Sequence, residues 1–293
     1  MNERSCWLYT LFFILTLVST LVVVDAANSR RRIVVRREVA PQYDRSITTF
    51  SADGRLAQVE YGMEASLRGS TVAALQSPSD DPQQQGICLV LQSGSFGKVH
   101  RIDHHLWLVT SGLSGDARTL ANALRNSCQN HRLNFGEPPT TKQVARIAGE
   151  AQHQLTRKGG ARPLGCTALV VGVDPSSFDE EGMGTPRLYQ TDPGGIVEEC
   201  TFCAAGKGRA TVGKIVASLA DKVQLKDSNS GKYVAALAAA MTERVLEQLI
   251  EPKGTPTVDV WIFQPNPGRR GGIQVTCYCD LSKNTVSRIR DSL

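Results

Sequence analysis

Apolar positions along the chain follow two periods. Helical spacing recurs five times. Leu56, Val59, Met63 and Leu67 fall at i, i+3, i+7 and i+11 within 55–67. That puts them on one face of a short amphipathic helix, with Ser51 and Asp53 as candidate N-caps. Ala117, Leu120, Ala121, Leu124 and Cys128 make a second stripe. Val144, Ile147, Ala148, Ala151 and Leu155 make a third, entered after Pro138-Pro139 through a cap at Thr140 or Thr141. A fourth runs through Val212, Ile215, Val216, Leu219 and Val223. The fifth takes Val234, Leu237, Ala238, Met241, Val245 and Leu249.

Between the stripes lie short apolar or alternating runs that read as strands. In order they are GSTVAALQ, GICLVLQS, the segments 98–103 and 106–111, GCTALVVGVD, RLYQTD, GIVEECTFC, TVDVWIFQP and GIQVTCYCD. Polar or Gly/Pro-rich loops separate them: SPSDDPQQQG, PSSFDEEGMGTP and NPGRRGG. The order is strands, helix pair, strands, helix pair, strands. Sequential strands pair as hairpins, so the sheets are expected to be mainly antiparallel. Two helix pairs need two sheet faces to cover. The pattern therefore predicts an α+β fold, a four-layer α/β/β/α sandwich of two stacked sheets.

At 293 residues, 41% hydrophobic and 21% charged, the chain can build one large core. Its net charge of +5 is mostly local, since Arg30, Arg31, Arg32, Arg36 and Arg37 cluster together. The remainder is near neutral and aromatics make up only 6%, which argues against nucleic-acid binding. The eight cysteines are scattered through expected strands and helices, not spaced as a disulfide scaffold. Cys200 and Cys203, with Cys277 and Cys279, offer four thiols for a metal. But 277 and 279 share one face of an alternating strand, so core packing is the expectation, with no metal and no cofactor.

Before the first strand, Trp7 to Val24 carries no charge over 18 residues. It reads as a signal peptide, with Val24 and Ala26 at the −3 and −1 positions of a cleavage site, or as a membrane anchor. As an anchor, the arginines after it would hold residues 28 onward in the cytosol. A mis-joined exon is a third reading. The expected organisation is an apolar segment 1–27, a basic linker 28–42, a domain 43–282 and a tail 283–293.

Several motifs, in the same order, carry a resemblance: YDRSITTFSADGRLAQVEYGMEA at 43–65, GST at 69–71, KVHRIDHHL at 98–106, SGLSGDARTL at 111–120, GGARPLGCTALVVGVD at 159–174 and RLYQTDPGG at 187–195. The chain resembles the α-type subunits of the proteasome core particle (20S), well over 43–225 and more loosely after that. The resemblance implies the N-terminal-nucleophile hydrolase fold, which is a four-layer sandwich.

For chemistry, the resemblance implies a non-catalytic subunit of a threonine-type endopeptidase complex. The β-type subunits of that fold use an N-terminal threonine whose own amine is the base. Here Gly69-Ser70-Thr71 stands at the corresponding strand start, but internally. The helix before it is the one α-type subunits keep over that cleft. Gln92 and Ser93 stand where an active subunit has an acidic residue. The resemblance further implies a place in a seven-membered outer ring, with β subunits and regulatory or activator particles as partners. Protein degradation, including the ubiquitin-dependent kind, in cytoplasm and nucleus is the expected setting, with which the apolar N-terminus conflicts.

Two sets of site residues are implied. Tyr43, Asp44, Ala52 and Tyr61 map to a cluster that holds the substrate gate open. Ala52 replaces a proline and leaves the turn less restricted. Lys98 maps to the lysine of an inter-subunit pocket that meets an activator's C-terminal carboxylate. The connection before Lys98 is shorter than the family's and loop 76–85 is longer and acidic. Two alternatives stay open: a hydrolase with a threonine or serine nucleophile, released by processing at Gly69, and a membrane-tethered or secreted relative outside the ring.

Overall fold

In the computed structural model the described residues are 46–77, 85–94, 96–174, 184–224, 233–248, 257–266 and 273–282. The elements are α1 (Ala57–Leu67), β1 (Val72–Gln76), β2 (Ile87–Gln92), β3 (Val99–Arg101), β4 (Leu106–Gly112), α2 (Ser114–Phe135), α3 (Thr141–Arg157), β5 (Cys166–Asp174), β6 (Thr185–Thr191), β7 (Val197–Glu199), β8 (Phe202–Ala205), α4 (Arg209–Gln224), α5 (Tyr233–Gln248), β9 (Val258–Pro265) and β10 (Ile273–Leu281). All lie in one compact unit, 46–293.

The strands form two five-stranded sheets, ordered β10-β9-β2-β1-β8 and β3-β4-β5-β6-β7. Every pairing within them is antiparallel. Three apolar clusters give the four layers. Val72, Ala74, Leu89 and Leu91 meet Val109, Leu169, Val171 and Leu188 between the sheets. The alternate residues Ala73, Leu75, Cys88 and Val90 pack on α4 and α5. Ala168 and Val170 pack on α2 and α3. Central strands are thus covered on both faces, which is why they read as continuous apolar runs. The expected sandwich is the one observed.

Local departures have physical causes. GIVEECTFC is not one strand: β7 pairs with β6 in one sheet and β8 with β1 in the other. The chain changes sheets at Cys200-Thr201, where Cys200 N–H donates to Leu188 O and Thr201 O accepts from Gln76 N–H. The strand expected over 98–103 shrinks to three residues, because Lys98 ends a 3-10 turn, Phe96–Lys98. Of the two candidate caps, Thr140 caps α3, in a capping box with Gln143.

Helix α1 departs most. It starts at Ala57, and Leu56 at its N-cap makes no side-chain cap bond. Ser51 instead closes the preceding turn: Arg55 N–H donates to its Oγ, and Gly54 N–H to its carbonyl. The expected face of Leu56, Val59, Met63 and Leu67 is only half-buried, and the buried residues of α1 are Gly62 and Ser66. The cysteines of β10 also differ from expectation, because Cys277 and Cys279 are exposed. β10 is an edge strand, and the inter-sheet cluster reaches along it only to Val275.

Candidate functional site

The residues of interest gather where α1 ends and β1 begins. Small side chains let α1 seat closely. A Cβ on Gly62 would lie 3.1 Å from Pro163 Cβ, and one on Gly165 would lie 3.1 Å from Ala65 Cβ. Ser66 Oγ donates to Met63 O at 2.7 Å and accepts from Thr167 Oγ1 at 3.1 Å. The loop against α1 is tied down by Asp116, at the start of α2. Arg162 forms a bidentate pair with that carboxylate at 2.7 and 2.8 Å, and Gly165 N–H donates to it at 2.9 Å. The Arg162 hydrogen bonds hold the Asp116 carboxyl below the usual aspartate range against the opposing effect of burial, with the Gly165 N–H adding to them.

Beyond α1 the backbone runs on without a break. Gly69 N–H donates to Ser66 O at 3.2 Å, and Gly69 O accepts from Lys207 N–H at 2.9 Å. Gly69 fits because β4 is close: a Cβ there would stand 2.1 Å from Gly112 N. Gly206, at φ +83°, packs the same way, its Cβ position 2.3 Å from Ser70 O. Ser111 Oγ donates to Ser70 O at 2.8 Å, and Thr71 Oγ1 donates to Lys207 O at 2.7 Å. Lys98 Nζ donates to Ser70 Oγ at 2.7 Å. Burial lowers the Lys98 pKa below that of an ordinary lysine.

What can this arrangement do? Thr71 spends its hydroxyl proton on a backbone carbonyl, which is not a base. Its nitrogen is a peptide nitrogen following Ser70, so no free amine stands beside it. In the acidic residue's expected place, Gln92 uses its backbone N–H on Thr71 O at 3.1 Å. The structure thus brings Lys98 to Ser70, the serine of the Gly-Ser-Thr triplet. Of the four gate positions, Tyr43 and Asp44 lie outside the described residues. Ala52 is exposed in the turn before α1, and Tyr61 is 53% exposed on α1, beside a hollow it lines with Glu64, Ala65 and Arg68.

Among the described residues, Asp103, His104 and His105 are the one group of three metal-capable side chains. Arg132 occupies it, donating to Asp103 Oδ2 at 2.6 Å and lying 3.3 Å from His104 Nδ1. Burial pushes the Asp103 carboxyl up, but His104 and Arg132 outweigh it and leave it lowered. His105 turns Nε2 toward Pro139 O at 2.9 Å. A guanidinium bonded to the carboxylate and beside His104 suits an ion-pair cluster rather than a cation site.

Comparison with known proteins bears on the same segments. The proteasome subunit family model matches residues 85–248, and the N-terminal signature of the proteasome's A-type subunits matches 43–65. Proteasome subunit alpha type-7 of Solanum lycopersicum is 33% identical over 225 residues, 72% of this chain and 85% of that protein. Proteasome subunit alpha of Archaeoglobus fulgidus is 38% identical over 179 residues, 58% of this chain and 67% of that protein. Proteasome subunit alpha type-7-1B of Drosophila melanogaster is 36% identical over 194 residues, 63% of this chain and 72% of that protein.

Proposed function

This chain belongs to the proteasome subunit family as an α-type member of the 20S core, and on that premise we propose that it is a non-catalytic ring subunit that plugs its own cleft and helps gate substrate entry. The observation that carries the first half is the unbroken path from α1 through Gly69 into β1. A terminal-threonine mechanism needs an amine at that point, and α1 with its clamped loop occupies the approach.

In this reading the chain sits in a seven-membered outer ring above β subunits and takes part in protein degradation in cytoplasm and nucleus. Tyr43, Asp44, Ala52 and Tyr61 hold the gate. An exposed tyrosine at 61 and an exposed turn at 52 suit contacts with a neighbour. Lys98 serves an activator's terminal carboxylate, giving up Ser70 Oγ as its partner when a tail arrives. Among the described residues no helix is long and apolar enough to cross a membrane. The apolar run 7–24 lies outside them, and fractionation against membranes decides between ring and anchor.

One observation favours a second reading. Ser70 Oγ accepts from a lysine whose pKa is lowered by burial, a pairing found where an amine activates a hydroxyl. Cleavage before Ser70 would convert this chain into a hydrolase of the same fold. Mass measurement of the mature N-terminus tests both readings: residues 46–69 retained supports the plug, and a start at Ser70 or Thr71 supports the hydrolase.

A further inference from the structure

The two cysteines of β10 have no part in the plug, the gate or the pocket. They stand two residues apart on one strand, so both side chains leave the same face. Their sulfurs are 3.5 Å apart and both residues are exposed. β10 is the last strand of its sheet. We propose that Cys277 and Cys279 form a reversible dithiol–disulfide site that closes by exchange with a low-molecular-weight disulfide such as oxidised glutathione.

Geometry permits closure and limits its strength. A disulfide needs sulfurs at about 2.04 Å and Cβ atoms about 3.5–4.5 Å apart, so closure takes a bend in the strand as well as side-chain rotation. Two strand rises of about 3.3–3.4 Å put the Cα atoms about 6.6–6.8 Å apart. That is the upper end of the range disulfides span, about 4.4–6.8 Å. The bond is therefore strained and easily reduced, as labile disulfides are. Its loop is too small to stabilise the fold by chain entropy. The neighbouring backbone has slack to offer: pairing with β9 becomes irregular between Tyr278 and Leu281, and Asp280 takes φ +54°.

The two thiols divide the work. Partial burial of its sulfur, then the contact with Cys279, pushes the Cys277 thiol up to about 12, so Cys277 is the thiol that stays protonated at neutral pH. Cys279, as thiolate, attacks one sulfur of the small disulfide. A mixed disulfide forms, and the other half leaves as a thiolate that takes up a proton. Cys277 then loses its proton and attacks the Cys279 sulfur, which expels the second half as a thiol. The protein gives up two electrons and two protons, and the reagent becomes two thiols.

Trypsin makes the test direct, because cutting after Arg270 and Lys283 yields a peptide, 271–283, whose only cysteines are these two. The full-length chain is equilibrated with mixtures of reduced and oxidised glutathione, acid-quenched, blocked with N-ethylmaleimide and digested. Oxidising mixtures should lower this peptide's mass by two hydrogens and remove both maleimide labels, and reducing mixtures should restore them. Cys277→Ser and Cys279→Ser should each carry one glutathione instead. Buried Cys166 and Cys203 serve as unreactive controls. The proposal is overturned if peptide 271–283 takes two maleimides in every mixture, accumulates two glutathiones, or cross-links to another peptide.

Discussion

Lys98 Nζ donates to Ser70 Oγ at 2.7 Å, joining the 3-10 turn before β3 to the residue just ahead of β1. The two are 28 positions apart and the contact is part-buried. It holds a cation at the start of β1 without a counter-carboxylate in that bond. A terminal carboxylate is a stronger partner for an ammonium than a hydroxyl is. In assembled particles, Lys98→Met should weaken binding of a fluorescent peptide copied from an activator tail by about 10-fold or more, as loss of a charged hydrogen bond of about 1.5–3 kcal/mol implies. Melting temperature should stay level or rise, since a charged lysine is costly to bury. Unchanged anisotropy titrations would contradict the pocket reading.

The junction after α1 has no room for a side chain. Gly69→Ala places a methyl 2.1 Å from Gly112 N, a backbone atom that cannot swing away. The expected loss is about 3 kcal/mol or more, at the upper end of overpacking effects. Gly115, in α2, has nothing within 4 Å of its Cβ position. Gly115→Ala should be neutral or stabilise by about 0.5–1 kcal/mol. Denaturant melts of the two variants side by side check the contrast.

The Asp116–Arg162 clamp predicts a pH dependence. The folded Asp116 carboxyl titrates below the ordinary aspartate, so the folded state binds fewer protons in that window. Its contribution is fully present above the unfolded pKa of about 3.9 and is lost as pH falls through the lower folded value. Asp116→Ala should cost about 1–3 kcal/mol at pH 7, because the Gly165 N–H loses its acceptor. Arg162 is largely exposed, which keeps the ion-pair share small. In urea melts the gap between wild type and variant should be constant well above the unfolded pKa and narrow steadily as pH falls below about 3.9. A gap that does not narrow at all below that pH would show that the carboxylate is not its source.

Ala52 sits in a turn closed by the Gly54 N–H to Ser51 O bond. A proline at this second turn position pre-sets φ. Ala52→Pro should stabilise the turn by about 0.4–1 kcal/mol, chiefly through the unfolded chain. If this turn supports an open gate, particles carrying the variant should hydrolyse small fluorogenic peptides faster without activator. Equal basal rates would detach Ala52 from gating.

The layers were legible because their signals are local. The stripe Ala117, Leu120, Ala121, Leu124 and Cys128 is buried as its period requires, and Thr140 with Gln143 spells a capping box. What stayed hidden is contact over distance. The buried face of α1 rests on Gly62 and Ser66, whose small size carries no hydrophobic signal. Asp116 and Arg162 are 46 residues apart, and nothing in either segment names the other. Cys277 and Cys279 alternate as inward residues should, yet the sheet ends beside them. The change of sheets after Glu199 leaves no mark in an unbroken β-like run.

The proposed function requires that α1 stay attached and that the chain join a ring. Native purification through a tagged β subunit, with intact-mass and N-terminal measurement of this chain, addresses both parts. The chain should co-purify with other α subunits, with the Gly69–Ser70 bond intact and residues 46–69 present. A chain that begins at Ser70 or Thr71, or that floats with membranes apart from every other proteasome subunit, would contradict it.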